Sequence, residues 1–406
     1  MTIYFTSITI NYFAKARVLC KSLKKYNAKA VFFLAISDKI PEDIDLSKEP
    51  FDYIFNTKNL DNIENINIFY FKHNITELCT AVKPFIAKYI FESLKADKVI
   101  YLDPDIAVFN SLTELESLLD NYSMIFTPHQ LIPEEQDIYI KENEILFLKK
   151  GICNLGFFGV KKDNEGLKFI NWWSNRLLNY CFDDNYCVLD DLRHNGLLGL
   201  YTDQKWIDLV PSFFNNFFYI KNPGYNVCTW NLSGRNVRYI NEHYSVNEKP
   251  LYFFHFSGYD SGAHINELIK SLSYYPHNND VKLLSEWYKN QLKENDEEFF
   301  KNIDFYYTRY SSGEYISEID RKLLHIRKDI YHLIKDPYQV TDSFCYYKWV
   351  REEYPQYYTE NKKNTFMKIN ESKLINKYFP KNSLRRKIIK NILLFLKKCI
   401  RWRIYV

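Results

Sequence analysis

The chain is organised around the stretch Val99-Ile100-Tyr101-Leu102-Asp103-Pro104-Asp105. Its apolar first half predicts a buried strand of a mainly parallel sheet, and Pro104, which has no N–H to donate, favours a strand end. Because residues i and i+2 of an extended chain point to the same side, Asp103 and Asp105 can converge on one cation. Two hard oxygen ligands suit Mg²⁺ or Mn²⁺, which would neutralise a diphosphate. A solvated turn is the alternative interpretation.

The segments before this stretch alternate between strand and helix patterns. Apolar runs at residues 3–10, 31–36 and 52–55 predict strands, and residues 13–26 have a helical pattern. This order predicts a doubly wound α/β fold. No G-x-G-x-x-G turn follows the first strand and no G-x-x-x-x-G-K motif occurs, so dehydrogenase and P-loop functions are disfavoured.

Composition narrows the class of protein. The 406 residues are 46% hydrophobic and 26% charged, which predicts a globular chain of two or three domains. Eight cysteines without C-x-x-C spacing argue against a zinc site or a disulfide framework and favour a reducing compartment. The N-terminus begins with a strand pattern instead of a signal peptide, and no apolar run is long enough to span a bilayer. These features predict a cytoplasmic protein.

The strand followed by Asp-x-Asp resembles the metal-binding motif of GT-A glycosyltransferases, especially those of family 8. The resemblance implies the GT-A fold, which is a Rossmann-like, mainly parallel sheet flanked by helices. Asn11-Tyr12 is similar to the family's loop that holds the nucleotide base and ribose, although Thr9 stands where the family usually has an acidic residue. The residues predicted to bind the nucleotide of a UDP-sugar are Thr6, Asn11, Tyr12, Asp103 and Gly258.

Three further segments resemble the donor-sugar site of this family. Asn154 in the stretch 151–160 matches an asparagine that faces the sugar, and Asp203-Gln204 matches a pair beside the anomeric carbon. The resemblance therefore implies catalytic roles for Asn154, Asp203 and Gln204. A helix predicted from residue 80 carries Lys83 and Lys88; Lys83, nearer the helix N-terminus, is the candidate for contacting the donor sugar or phosphate.

His255 ends an aromatic run and matches the family's His-x-x-Gly motif. The resemblance implies that Asp103, Asp105 and His255 hold the metal, and this mixed ligand set favours Mn²⁺, with Mg²⁺ as the alternative. Relatives often carry a diphosphate-binding lysine a few residues later, and here His264 is the candidate substitute. The predicted donor-sugar and phosphate set is Lys83, Asp103, Asn154, Asp203 and His264. Without the resemblance, a solvated Lys83, a helix-capping Asp203 and a core His255 are the ordinary alternatives.

The motifs that carry the resemblance end near residue 265, and the rest of the chain has other features. Residues 1–265 are predicted to be the catalytic domain, 266–380 a helical appendage and 381–406 a basic amphipathic tail. The tail has nine basic and no acidic residues, which leaves −5 on the rest of a chain of net charge +4 and argues against nucleic-acid binding. An amphipathic helix over 383–403 suits an anionic membrane surface, and docking on a protein is the alternative. This predicts a peripheral protein at the inner face of the cell membrane.

These patterns lead to one main functional hypothesis and two alternatives. The main hypothesis is a metal-dependent glycosyltransferase that moves a hexose or N-acetylhexosamine from a UDP-sugar, with retention, to a surface polysaccharide or lipid-linked glycan. The first alternative keeps the donor chemistry and makes a protein the acceptor. The second is a non-catalytic sugar-nucleotide or membrane-binding protein on a GT-A scaffold; the intact Asp103, Asp105 and His255 count against it.

Overall fold

The computed structural model describes residues 1–183 and 199–358 of the chain. The chain divides into two compact units, Met1–Tyr338 and Gln339–Val406. The predicted tail at 381–406, and with it the membrane-binding helix, lies outside the described residues. The proposed domain boundaries at 265 and 380 stay predictions.

The described residues of the first unit form twelve strands and a larger number of helices. The strands are β1 (Thr2–Ile8), β2 (Val31–Ile36), β3 (Tyr53–Asn56), β4 (Lys98–Leu102), β5 (Ile106–Val108), β6 (Met124–Pro128), β7 (Cys153–Lys161), β8 (Phe217–Tyr219), β9 (Val237–Ile240), β10 (His243–Val246), β11 (Lys249–Pro250) and β12 (Phe253–His255). The first eight helices are α1 (Phe13–Tyr26), α2 (Ile66–Lys72), α3 (Ile75–Ala81), α4 (Lys83–Ser93), α5 (Thr113–Asn121), α6 (Asp137–Tyr139), α7 (Ile145–Lys150) and α8 (Asn164–Tyr180). Later helices span Val210–Phe213, Ala263–Tyr274, Val281–Glu294, Glu297–Phe300 and Glu318–Ile326, and the second unit contains Tyr346–Glu353.

A seven-stranded sheet forms the centre of the first unit, in the order β3-β2-β1-β4-β7-β6-β8. Strands β3, β2, β1 and β4 pair in parallel, β7 runs antiparallel to both of its neighbours, and β8 is parallel to β6. The predicted α/β fold with a mainly parallel sheet is therefore confirmed.

Both faces of the central strands are buried, which explains their continuous apolar runs. On one face, Phe5 and Tyr101 pack into a cluster with α4 and α8. On the other face, Tyr4 and Ile100 pack into a cluster with α1 and α5. β4 ends at Leu102, so Asp103 follows directly at the end of a strand that is covered on both sides.

A short antiparallel pair of strands holds the segment that contains His255 beside the end of β4. β5 pairs with β12, and His255 stands opposite Ile106 in this register. The backbone N–H of Phe256 donates to the carbonyl oxygen of Asp105 over 2.8 Å. On the other side, the N–H of Asp103 donates to the Gly156 carbonyl of β7 over 2.7 Å. The end of β4 is thus held between β7 and the segment that contains His255.

The helix Glu318–Ile326 packs against α2 and α3 through buried charged groups. Arg321 donates to the carbonyl oxygens of Phe71 and His73 over 2.6 and 2.9 Å, and Lys322 forms an ion pair with Glu77. Both partners of the pair are buried, and burial raises the pKa of Glu77. Across residues 1–183 and 199–358, no helix is long and apolar enough to cross a membrane.

Replacing Lys322 by methionine is expected to lower the free energy of unfolding by about 3 kcal/mol, because Glu77 is left as a buried charge without its cationic partner. Urea-induced unfolding measures this loss, and adding Glu77→Gln to the variant is expected to recover part of it. The control is Lys301→Met, which breaks an exposed pair with Glu298 and should change stability by at most about 1 kcal/mol. Equal losses in the two single variants would contradict a stabilising role for the buried pair.

Candidate active site

Two carboxylates and an imidazole form a cluster at the end of β4. One ligand atom from each of Asp103, Asp105 and His255 lies within 4.8 Å of the other two. His255 Nε2 is 3.0 Å from Asp105 Oδ1 and 3.6 Å from Asp103 Oδ2. The Asp103 side chain is 25% exposed, so the cluster is accessible from one side. Two carboxylate oxygens and an imidazole nitrogen converging in this way fit a divalent cation such as Mn²⁺ or Mg²⁺.

Gly156 on β7 provides the space for this cluster. A Cβ atom at this position would lie 2.5 Å from His255 Cε1 and 2.9 Å from Asp103 Oδ2. Distances this short do not occur between non-bonded heavy atoms in well-packed proteins, so glycine is required by space at this point of the strand.

The charges within the cluster influence one another strongly. Burial alone would raise the pKa of Asp105, but the charge of His255 and its hydrogen bond lower that pKa to about 2. Burial would lower the pKa of His255, and the Asp105 and Asp103 carboxylates raise it overall. The two carboxylates therefore present negative charge to whatever binds between them and the imidazole.

Lys83, the first residue of α4, connects this cluster to the predicted donor-sugar residues. Its Nζ atom lies 2.9 Å from Asp203 Oδ2 and 3.6 Å from Asp103 Oδ1, and it donates to the Leu155 carbonyl over 2.9 Å. Burial raises the pKa of Asp203, and Lys83 opposes this shift. The structure thus brings Lys83, Asp103 and Asp203 together, whereas Lys88 lies further along α4, half-buried.

Asn154 lies beside the imidazole. Its Nδ2 atom is 3.5 Å from His255 Nδ1, and its Oδ1 atom accepts from the Gly156 N–H over 2.9 Å. Asn226 supports this arrangement by donating to the Asn154 carbonyl over 3.2 Å and to Thr127 Oγ1 over 2.8 Å. Asn154 is thereby fixed next to the cluster of Asp103, Asp105 and His255.

Gln204 begins a short 3₁₀ helix, Gln204–Leu209, directly after Asp203. Its Oε1 atom accepts from the Leu155 N–H over 3.1 Å, and its Nε2 atom donates to the Lys150 carbonyl over 2.9 Å. The side chain therefore ties this helix to the beginning of β7. As a result, the Gln204 side chain is bound to Leu155, the residue that follows Asn154 on β7.

Two of the predicted nucleotide-binding residues, Asn11 and Tyr12, lie in a turn between β1 and α1. Asn11 and Tyr12 belong to the 3₁₀ turn Ile10–Tyr12, and Thr9 Oγ1 donates to Asn11 Oδ1 over 2.6 Å. Burial raises the pKa of Tyr12, and the Asp105 carboxylate contributes further to this rise. The turn therefore lies within electrostatic range of Asp105.

The other three predicted ligand residues differ in their surroundings. Thr6 is fully buried on β1, and within the described residues its hydroxyl has no hydrogen-bond partner. Gly258 follows β12 with φ +72°, where a side chain would be strained. His264 is fully buried, its Nε2 atom lies 2.9 Å from Ser285 Oγ, and burial lowers the pKa of its imidazole to about 4. The nucleotide and phosphate roles of these residues stay predictions.

Comparison with known proteins finds a similarity that covers the first part of this site. Residues 3–158 match the sequence model of glycosyl transferase family 8. This match spans 156 of the 406 residues, so the similarity to that family concerns the N-terminal part of the chain. The matched segment contains Asp103, Asp105 and Asn154. It ends before Asp203 and His255, which the fold brings next to Lys83 and the two aspartates.

The individual relatives are distant. Two uncharacterized proteins of Bacillus subtilis (strain 168), YfnF and YfnD, are each 23% identical over 188 and 184 residues, or 45% of this chain. These matches span 57% and 54% of their lengths, so the chain covers just over half of each relative. A crystal structure of the galactosyltransferase LgtC with donor and acceptor sugar analogs is 19% identical, with a TM-score of 0.37 over 64% of this chain and 87% of that one.

Several residues at the candidate site were not predicted from the sequence. Tyr101 donates its hydroxyl to Asp103 Oδ1 over 2.6 Å, and its position two residues before Asp103 on a strand is a signal that could have identified it. Lys15, on the first turn of α1, lies with its Nζ atom 3.8 Å from the centre of the ring of Tyr12, three residues earlier in the chain. Asn226 carries no comparable local signal.

Proposed function

We propose that the protein is a metal-dependent glycosyltransferase that transfers a hexose or N-acetylhexosamine from a UDP-sugar to a glycan acceptor, with retention of anomeric configuration. The acceptor is proposed to be a surface polysaccharide or lipid-linked glycan, at the cytoplasmic face of the cell membrane. The observation that carries the proposal is the convergence of Asp103, Asp105 and His255 within 4.8 Å, next to the family 8 segment's Asn154.

The residues around the cluster suit such a donor. A divalent cation held by Asp103, Asp105 and His255 supplies positive charge against the negative charge of a departing diphosphate. Asp203 and Asn154 offer oxygen and nitrogen atoms to the hydroxyls of the sugar. Lys83 forms an ion pair with Asp203 and is proposed to orient the sugar by holding this carboxylate in place. Gln204 is proposed to fix the part of β7 that lies beside the anomeric carbon, through its hydrogen bond with Leu155.

Retention requires that the new bond forms on the face that the leaving group departs from. In the proposed reaction the bond from the anomeric carbon to the UDP oxygen breaks, and the acceptor hydroxyl bonds to that carbon. The proton of the acceptor hydroxyl passes to the leaving diphosphate oxygen. The protein then needs to position its substrates and stabilise charge, and no side chain has to act as a nucleophile.

The test is thermal unfolding of the full chain with UDP, ADP, GDP and uridine, each with and without Mn²⁺. Because a ligand that binds only the native state raises the melting temperature by mass action, UDP with Mn²⁺ is expected to raise it by a few degrees, and either one alone by much less. Asp103→Asn should abolish the joint effect, and Asp120→Asn, at an exposed position paired with Lys98, serves as the control. No shift with any nucleotide would overturn the proposal.

Turnover separates the main proposal from its alternatives. Mn²⁺-dependent release of UDP from a UDP-sugar without acceptor supports an enzyme, and the sugar that gives the fastest release identifies the donor. Transfer of labelled sugar to protein, with none to glycan or lipid, would favour the protein-acceptor alternative. UDP binding without any release or transfer would favour a non-catalytic sugar-nucleotide-binding protein.

A further inference from the structure

A buried lysine on α1 faces the nucleotide turn. Lys15 is 3% exposed. An ammonium group is buried at a cost of several kcal/mol unless it is paired. Its partner is Asp260, with Lys15 Nζ 2.5 Å from Asp260 Oδ2, and the same nitrogen lies 3.8 Å from the centre of the Tyr12 ring. The cation is therefore placed beside a residue predicted to contact the nucleotide.

The same lysine lies within electrostatic range of Asp105, one of the proposed metal ligands. Its charge contributes to the low pKa of Asp105, and Asp105 and Asp260 both contribute to the raised pKa of Tyr12. Lys15 thus contacts both Asp260 and Tyr12, and Lys15 and Tyr12 both lie within electrostatic range of Asp105. A diphosphate that joined a nucleoside at the turn to a cation at Asp105 would lie near this group of residues.

Two other candidate groups among the described residues, Lys83 and His264, are less suited to this role. The ammonium group of Lys83 is already surrounded by Asp203, Asp103 and the Leu155 carbonyl. His264 is fully buried, and with a pKa lowered to about 4 it carries no positive charge at neutral pH. Lys15 is different, because its anionic partner belongs to a short loop and is open to solvent.

Asp260 is suited to being replaced. Its side chain is 44% exposed, whereas that of Lys15 is 4% exposed, so a leaving carboxylate would regain water at little cost. Asp260 lies between Gly258 and Gly262, which both adopt φ +72° and allow the loop backbone to change direction. A diphosphate brings more negative charge than a carboxylate and forms strong charge-assisted hydrogen bonds with a lysine.

We propose that Lys15 binds the diphosphate of the nucleotide donor, and that Asp260 occupies this subsite until the diphosphate replaces it. The inference rests on the proposed function and adds to it the residue that recognises the diphosphate. It predicts opposite effects for the two partners of one ion pair. Removing the cation weakens diphosphate binding, and removing the competing carboxylate strengthens it.

The experiment is calorimetric titration of the full chain with UDP, and separately with uridine, at saturating Mn²⁺. Lys15→Gln is expected to raise the Kd for UDP about 10- to 100-fold, which is the loss of one hydrogen bond to a charged group. Lys15→Arg should restore most of the affinity, and Asp260→Asn should lower the Kd for UDP several-fold. The Kd for uridine should not change in any of these variants, because uridine has no phosphate.

The matched control is Lys21→Gln, because Lys21 also lies on α1 and its Nζ atom donates to Asn295 Oδ1 over 2.6 Å. The Lys21→Gln variant should bind UDP with the same affinity as the unmodified chain. If Lys15→Gln and Asp260→Asn weaken UDP binding equally, the pair is a structural tether and the inference is wrong. Equal losses for uridine and UDP would also overturn it, since Lys15 would then shape the base-binding turn.

These outcomes can be separated from a failure of the proposed function. If the unmodified chain binds UDP with Mn²⁺ and Lys15→Gln binds it equally well, only the inference about Lys15 is overturned. If the unmodified chain binds no UDP at all, the proposed function fails and the inference falls with it. Should Lys15→Gln not fold, Asp260→Asn decides alone, because weaker or unchanged UDP binding would contradict the competition between carboxylate and diphosphate.

Discussion

Replacing Asp105 by asparagine is expected to lower Mn²⁺-dependent turnover of the sugar donor by about 10³-fold, or about 4 kcal/mol of transition-state stabilisation. Asparagine has nearly the same shape, so it can keep a contact with the His255 Nε2 atom, now 3.0 Å from Asp105 Oδ1. It removes the negative charge that a divalent cation requires. The kcat/KM for release of UDP from a UDP-sugar measures the loss of turnover.

Binding of Mn²⁺, followed by electron paramagnetic resonance, distinguishes the cause of that loss. The Asp105→Asn variant is expected to bind Mn²⁺ much more weakly than the unmodified chain while unfolding at a similar temperature. Asp120→Asn is the control, because this carboxylate pairs with Lys98 at the surface and lies outside the cluster. Unchanged turnover in Asp105→Asn would show that the cluster at the end of β4 is not the metal site.

Much of the fold was predictable because its central strands are buried on both faces. Such strands appear in a sequence as continuous apolar runs, and those at residues 3–10, 31–36 and 52–55 correspond to β1, β2 and β3. The direction of β7 was not predictable in this way. Its apolar run shows a buried strand, but a run that is apolar on both faces contains no information on whether it pairs in parallel or antiparallel fashion.

The site was predictable where its residues are neighbours in sequence. Asp103 and Asp105 follow from the alternation of an extended chain, and their closeness to one another needed no fold. His255 came from the family resemblance, and the physical reason for its position is the pairing of β5 with β12 in the register His255 opposite Ile106. Such a register joins segments about 150 residues apart, which no local pattern encodes.

Lys15 was missed for a related reason. On α1 it resembles Lys21, Lys24 and Lys25, which are ordinary polar positions of an amphipathic helix. In the folded chain the helices Val281–Glu294 and Glu297–Phe300 pack on α1, and Asp260 pairs with the ammonium group of Lys15. These elements come from the far end of the unit, so the burial of one lysine among several becomes visible only in the folded protein.

Substituting alanine for Gly156 is expected to lower Mn²⁺ affinity and donor turnover by at least about 10²-fold, because ligands displaced by about 1 Å lose their common geometry. The new Cβ would lie 2.5 Å from His255 Cε1 and 2.9 Å from Asp103 Oδ2, so one or both metal ligands must move. The backbone cannot easily withdraw, because the Gly156 carbonyl accepts from the Asp103 N–H over 2.7 Å. Electron paramagnetic resonance of bound Mn²⁺ measures the change.

The control for this substitution is Gly159→Ala, three residues along the same strand. Its Cβ would meet Ile125 Cγ1 at 2.7 Å in the hydrophobic core, so the expected cost is about 1–3 kcal/mol of stability from overpacking, with Mn²⁺ binding retained. The two variants separate crowding of the core from crowding of the metal ligands, since both add one methyl group to β7. If Gly156→Ala binds Mn²⁺ as tightly as Gly159→Ala does, Asp103 and His255 do not act together as metal ligands. If only Gly156→Ala loses the metal, space for the ligands is the reason that glycine stands at this position.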